Sequence, residues 1–277
     1  MQQPQSLIPQ AHNPYAPRFV TNRQERRCRV VVIANQKGGV AKTTTVATLG
    51  AALAELGHRV LLVDLDPQAS LTFSLGIDPE DLELSVHHVL TKGLDPNEVI
   101  IATEDGVDLL PATIDLARAE ADLMTRTGRE HVVKTALEDL DYDWVLLDCP
   151  PSLGVLTVAA LTAARGVLIP LQCETLSHRG VGQLLDTVHD VRRFTNRRLE
   201  VWGVLPTLYD GRTNHARAVL ESISETYQLD VLEPPIPKSI RFAEAPAAGR
   251  SILSTTRGHK GADAYREVAA SLTRRGR

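Results

Sequence analysis

The chain has 277 residues, 43% of them apolar, enough for a sizeable core in one large domain or two small ones. Its formal charge of −4 excludes a global pull toward nucleic acid or anionic membrane, so binding of either kind must come from a local patch. Cys28, Cys149 and Cys173 show neither metal-type spacing nor an even disulfide framework, which fits a reducing compartment, and no apolar run reaches membrane-spanning length.

In chain order, residues 1–27 are rich in Gln, Pro, Asn and Arg, without periodicity or the apolar core of a signal peptide. They are expected to form a disordered leader. Arg18, Arg23, Arg26, Arg27 and Arg29 make its end basic, as a solubilising leader or a binding tail.

The strongest local signal follows. Val31-Val32-Ile33-Ala34-Asn35-Gln36-Lys37-Gly38-Gly39-Val40-Ala41-Lys42-Thr43-Thr44 joins a β-branched run to a glycine turn, a lysine and two hydroxyls. With the apolar-periodic segment 46–56, this predicts strand, phosphate-cradling loop and helix. Glycines let the backbone wrap close to phosphate, and successive N–H groups point inward at the helix N-terminus. Lys42 is placed to reach outer phosphates and Thr43 to offer its hydroxyl to a phosphate-bound magnesium. Gln36 and Ala41 stand where an ordinary phosphate loop has glycines, and Lys37 is an additional lysine. Alanine at 41 is tolerable if that position is helical and costly if it needs positive φ; nucleotide binding is expected to survive.

Gly57 is expected to end the helix, and residues 59–68 then read as a buried parallel strand closed by Asp64 and Asp66. Strand alternation predicts both acids on one face, near the phosphate loop at the carboxyl edge of the sheet, as structural or functional acids. Segments 84–90, 114–124 and 131–140 are helical candidates, and 107–110 a strand. Asp143-Trp144-Val145-Leu146-Leu147-Asp148-Cys149-Pro150-Pro151 is a second strong strand, closed by an acid suited to magnesium or to orienting a switch, and two prolines stop it. Helix 153–164, strand 166–171, helix 175–193, strand 201–205 and helix 216–226 follow. Pro234, Pro235 and Pro237 make 231–240 an edge strand and loop, and 262–272 is a basic helix. His178 and His189 have no convergent partners to make them metal ligands. Repeated strand–helix units without a clean linker predict one α/β domain over 28–277, with a twisted, mostly parallel sheet flanked by helices.

Over roughly residues 29–272 the chain resembles the ParA/Soj group of deviant Walker A ATPases, relatives of MinD-type division-site regulators. The residues that carry the resemblance are 35–44, Asp64-Leu65-Asp66-Pro67-Gln68, Leu109-Leu110-Pro111-Ala112, Asp148-Cys149-Pro150-Pro151-Ser152-Leu153-Gly154, Tyr209-Asp210-Gly211-Arg212-Thr213-Asn214 and 236–246. The resemblance implies a single-domain P-loop NTPase that binds ATP and Mg²⁺ through Lys37, Gly38, Gly39, Val40, Ala41, Lys42, Thr43 and Thr44. It implies that Lys37 reaches across a nucleotide-sandwich homodimer to the partner's phosphates, while Lys42 holds the phosphates of its own site. Thr43, Asp64 and Asp148 are the implied metal residues, with Asp148 the Walker B acid and Asp64 supporting the metal shell. Asp66 is implied to position the attacking water, and Thr207 and Pro237 to lie around adenine.

The group's chromosomal members bind double-stranded DNA without sequence preference as ATP dimers, and the arginines that do so match Arg212 and Arg241. Ordinary surface charge is the other reading of these two, and Lys238, Arg250, Arg257, Lys260 and Arg266 are further candidates for the patch. The implied partner is a ParB-like centromere-binding protein that stimulates hydrolysis, and the implied location is cytoplasmic and nucleoid-associated, with chromosome or plasmid as cargo. Alternatives are a positioning ATPase for a protein cargo, a MinD-like membrane oscillator, for which the terminal helix has a small apolar face, and a metabolic P-loop enzyme coupling ATP to ligation or reduction. The short, irregular leader is not expected to hold a helix-turn-helix repressor.

Overall fold

The computed structural model describes residues 28–174, 177–256 and 258–275. The expected leader at 1–27, and Arg257 and Arg277, lie outside the described residues. Seven strands form one sheet: β1 (Arg29–Ile33), β2 (Val60–Asp64), β3 (Ile101–Ala102), β4 (Asp108–Leu110), β5 (Trp144–Asp148), β6 (Gly166–Gln172) and β7 (Glu200–Thr207). Their order is β3-β4-β2-β5-β1-β6-β7. Every neighbouring pair is parallel except β3 with β4, so the sheet is mixed but mostly parallel, as the alternating pattern predicts.

The eleven α-helices of the described residues are α1 (Lys42–Glu55), α2 (Ser70–Ser74), α3 (Val86–Lys92), α4 (Leu116–Met124), α5 (Val132–Leu137), α6 (Val155–Ala163), α7 (Ser177–Phe194), α8 (Asn214–Tyr227), α9 (Arg241–Glu244), α10 (Ile252–Thr255) and α11 (Lys260–Arg274). The central strands are continuous apolar runs because both faces are covered. Alternate residues of each strand feed two cores. Val32, Leu61, Val63, Val145 and Leu147 pack with α3 to α8, while Val31, Ile33, Leu62 and Leu146 pack with α1, α10 and α11.

Two sequence expectations change. The segment at 231–240 forms no strand: Val231 bridges Val204 and Pro237 bridges Tyr209 as isolated pairs. Its three prolines lack the N–H groups that a ladder needs. Helix α1 starts at Lys42, four residues before its apolar periodicity begins, because the phosphate loop itself supplies the first turn.

The topology fixes the site. Asp148 lies opposite Ile33 on one side and Asp64 on the other, so the ends of β1, β2 and β5 form one edge. The loop from β1 to α1 leaves that edge at the centre of the sheet, where open α/β folds bind ligands.

Candidate functional site

The loop between β1 and α1 is tied down before any ligand arrives. The Asn35 side chain donates to the Pro170 carbonyl on β6 at 2.8 Å, and its Oδ1 accepts the Lys37 N–H at 3.0 Å. At the other end of the loop, the Thr207 hydroxyl at the tip of β7 donates to the Val40 carbonyl at 2.9 Å. Gly39 takes φ 73°, the left-handed region that glycine enters freely. Ala41 takes φ 63° and ψ 36°, so the costly arm of the sequence expectation is the one realised, at the position immediately before α1. No side chain caps α1, and its first turn holds no acid. The N–H groups at this helix start, with the dipole behind them, are therefore free to meet an anion.

Lys42 is 8% exposed and its Nζ donates to the Lys37 carbonyl at 3.1 Å, folded back over the curve of the loop. Burial lowers its pKa from the ordinary lysine value, against the opposing pull of Asp148 and Asp66. Lys37 sits further out and pairs with Glu174.

The three acids behave differently. Asp64 is fully buried and its carboxylate is taken up internally, by the Thr72 N–H at 2.9 Å, the Thr72 hydroxyl at 2.8 Å and the Asp66 N–H at 3.1 Å. Burial raises its carboxyl to about 6, with those three hydrogen bonds opposing the rise. The strand ends at Asp64, and Asp66 lies just beyond it, lining the cavity beside the loop with Ser70 and Tyr265. Leu65 between them packs into the same core as Val63, on the opposite side from α2, whose Thr72 holds Asp64. The two acids differ in burial: Asp64 is closed off by Thr72, and Asp66 faces the cavity.

Asp148 is 1% exposed, and neither of its carboxylate oxygens has a hydrogen-bond partner of normal geometry among the described residues. Burial raises its pKa well above the usual carboxylate range, and the neighbouring Asp64 adds to the rise. A buried, unpartnered carboxyl beside a phosphate loop suits a cation or its water shell. Among the described residues no group of three or more His, Cys, Asp or Glu side chains is arranged to hold a metal alone. The buried Asp148 carboxyl with the Thr43 side chain beside it fits Mg²⁺, which keeps waters and phosphate oxygens as most of its ligands.

A cavity of about 430 Å³ opens over the loop. Gly38, Gly39, Ala41, Lys42, Thr43 and Thr44 form its floor, Asp66 and Pro151 one flank, and Thr207, Pro237, Phe242 and Tyr265 the far wall. Phe242 and Tyr265 are the residues the sequence reading missed. Phe242 lay inside a matching motif without an assigned role. Tyr265 gave no local signal, being a tyrosine on a basic helix; its hydroxyl meets the Thr45 hydroxyl at 2.8 Å, linking α11 to α1.

Arg212, in the loop after β7, and Arg241, which begins α9 just after the loop 236–240, are both exposed. Arg212 makes a two-pronged contact with Asp210, both bonds at 2.9 Å, which holds the Asp210 carboxyl down at about 2. Arg241 pairs with Glu244 at 2.7 Å. The two loops are stitched together, the Tyr209 N–H donating to the Ile236 carbonyl at 2.9 Å and the Lys238 N–H to the Tyr209 carbonyl at 3.2 Å. Of the further candidates for the patch, Arg250 is paired with Glu104, and Arg266 with Glu55 and Asp263.

Comparisons with known proteins show the family. A family model described as an AAA domain matches residues 28–201. The sporulation initiation inhibitor protein Soj of Bacillus subtilis is 43% identical over 251 residues, covering 90% of this chain and 99% of its own. The chromosome-partitioning ATPase Soj of Thermus thermophilus is 44% identical over 249 residues, covering 90% and 97%. A crystal structure titled cobyrinic acid a,c-diamide synthase from Mycobacterium smegmatis, with bound ATP analogue and magnesium, superposes with TM-score 0.81. It is 55% identical and covers 90% of this chain and 95% of its own. ATP with Mg²⁺ is the cofactor pair of this fold, and ATP hydrolysis its activity. The phosphate loop with its added lysine, the buried acid at the end of β5 and these relatives together place the chain in the ParA/Soj/MinD superfamily of deviant Walker A ATPases.

Proposed function

We propose that residues 28–277 form a DNA-partitioning ATPase whose ATP-bound homodimer coats nucleoid DNA in the cytoplasm, and that a ParB-like centromere-binding partner triggers its hydrolysis. The cargo is a chromosome or plasmid. Lys42 and the loop N–H groups hold the phosphates, with Thr43 and Asp148 at the magnesium. Asp64 stands behind Asp148 and fixes the turn that aims Asp66, which positions the attacking water. Lys37 completes the site of the partner subunit, and Thr207 and Pro237 close the adenine end. Two lysines and a magnesium ion then surround the transferred phosphoryl group, where phosphoryl transfer needs positive charge.

The observation that carries the DNA reading is the stitching of the Arg212 and Arg241 loops to each other and to the cavity wall. Pro237 and Phe242 line the cavity, and Arg241 lies between them in sequence. A change at the nucleotide is therefore one short segment away from a guanidinium whose side chain is 54% exposed; that of Arg212 is 90% exposed. Phosphate contacts give affinity without sequence preference.

The test replaces Arg212 and Arg241 by alanine and measures binding to double-stranded DNA with ATP and with ADP across a salt series. Four arginines are lost per dimer, so the slope of log affinity against log salt is expected to flatten by about 3 to 4. An unchanged slope rejects the assignment. A second reading comes from the 55% identical Mycobacterium smegmatis structure, named as a cobyrinic acid a,c-diamide synthase. It predicts ATP turnover that depends on cobyrinic acid and is indifferent to DNA, so measuring phosphate release with each addition separates the two.

A further inference from the structure

Lys37 is not free in the single subunit. Its Nζ contacts Glu174 Oε2, across 137 residues of sequence. Glu174 follows β6 in a turn that fixes its position. Its N–H donates to the Gln172 carbonyl at 2.8 Å, the Ser177 N–H returns to the Glu174 carbonyl at 3.0 Å, and the Ser177 hydroxyl closes on the Gln172 carbonyl at 2.5 Å. The backbone of Lys37 is anchored as well, through Asn35 to Pro170 on the same strand. Helix α7 comes close at this point. A Cβ added at Gly180 would stand 3.1 Å from Asn35 Oδ1, so glycine lets α7 lie close against the lysine loop. Both ends of the Lys37–Glu174 pair are thus held by β6 and the start of α7, and only the two side chains need to move to break it.

We infer that Glu174 is a positioning residue that keeps Lys37 on its own subunit, so that breaking this pair is a step in closing the nucleotide dimer. The inference rests on the reading that Lys37 acts on the partner's nucleotide. A lysine in contact with a carboxylate of its own chain is not reaching for a phosphate elsewhere. Dimer closure therefore exchanges two Lys37–Glu174 pairs for two lysine–phosphate contacts, and the equilibrium depends on the difference. With the side chains 31% and 51% exposed, each pair contributes a modest factor to that equilibrium. Two of them shift the dimer dissociation constant by about 2- to 25-fold. The pair acts as a threshold that discourages closure when the partner offers no triphosphate.

The test uses the full chain with a non-hydrolysable ATP analogue and magnesium, and follows dimer formation by sedimentation velocity. Glu174→Gln is expected to tighten the dimer by about 2- to 25-fold relative to wild type while leaving the melting temperature and the nucleotide affinity of the dilute monomer unchanged. Raising salt, which weakens the exposed pair, is expected to shrink the difference between the two proteins. A dimer constant that is unchanged or weaker in Glu174→Gln overturns the inference, as does a difference that is insensitive to salt. Lys37→Ala tests the underlying reading separately. If it dimerises like wild type, the lysine does not act in trans. If it fails to dimerise while Glu174→Gln equals wild type, only the role of Glu174 falls.

Discussion

Replacing Ala41 by glycine isolates a strain that the phosphate loop carries at the start of α1. Ala41 adopts φ 63°, ψ 36°, and its carbonyl accepts the Thr45 N–H at 2.9 Å as the first bond of the helix. An L-residue in the left-handed region costs about 1–2 kcal/mol. Glycine removes that cost but has more freedom in the unfolded chain, which returns about 0.4–1 kcal/mol. The net expectation for Ala41→Gly is a gain of about 0.5–1 kcal/mol, or a melting temperature raised by about 2–3 °C for a domain of this size. Ala41→Val is the opposing control, because a β-branched residue at positive φ is a stronger outlier, and it is expected to melt several degrees lower. Circular dichroism melts read the stability, and titration with a fluorescent ATP analogue reads the site. Since the loop is already held by Asn35 and Thr207, the glycine variant is expected to bind nucleotide within about twofold of wild type. A lower melting temperature for Ala41→Gly refutes the strain argument, and a large loss of affinity refutes the view that the cradle is set by its tertiary anchors.

Three further expectations follow from the site. Asp66→Ala is expected to bind ATP and Mg²⁺ normally but to lose about 10²-fold or more in turnover, measured by phosphate release, because it removes the group aimed at the attacking water; normal turnover contradicts the role. Thr207→Val keeps the shape of the side chain but orphans the buried Val40 carbonyl, so it is expected to cost about 1–3 kcal/mol in denaturant unfolding and to weaken nucleotide binding at the loop. Burial holds the Cys28 and Cys173 thiols up at about 11 and pushes Cys149 higher still. At pH 8 the reaction of Cys28 and Cys173 with a thiolate-selective reagent is therefore expected to be about 240-fold slower than that of an ordinary thiol near pKa 8.5, with Cys149 slower again, and all three are expected to reach the ordinary rate in denaturant.

The parts of this molecule that sequence reveals are those whose signal is local. The phosphate loop, the apolar strand closed by Asp148 and the order of strands and helices each occupy a few consecutive residues with a recognisable period or spacing. The rest depends on partners far along the chain. Ala41 reads as tolerable or costly depending on its φ, and that φ belongs to a loop anchored on β6 and β7, far along the chain. Asp64 and Asp66 look equivalent two residues apart, and separate because Thr72 on α2 captures one of them. The helix α2 itself is too short for periodicity to reveal. Glu174 is one exposed acid among many until the fold sets it against Lys37. The segment at 231–240 shows the converse: it reads locally as an edge strand and loop, but its prolines cannot donate to a ladder, and it forms only isolated bridges to Val204 and Tyr209.

The bond between Thr45 and Tyr265 spans 220 residues and joins the helix of the phosphate loop to the last helix of the chain. During synthesis the loop therefore leaves the ribosome long before the wall that completes its cavity. At about 5–20 residues per second, the interval is roughly 10–40 seconds. Throughout that interval β1 and α1 exist without α11, whose Ala262, Tyr265, Val268 and Leu272 fill the core on that face of the sheet. A nascent chain is thus expected not to retain ATP until α11 has emerged and packed against α1.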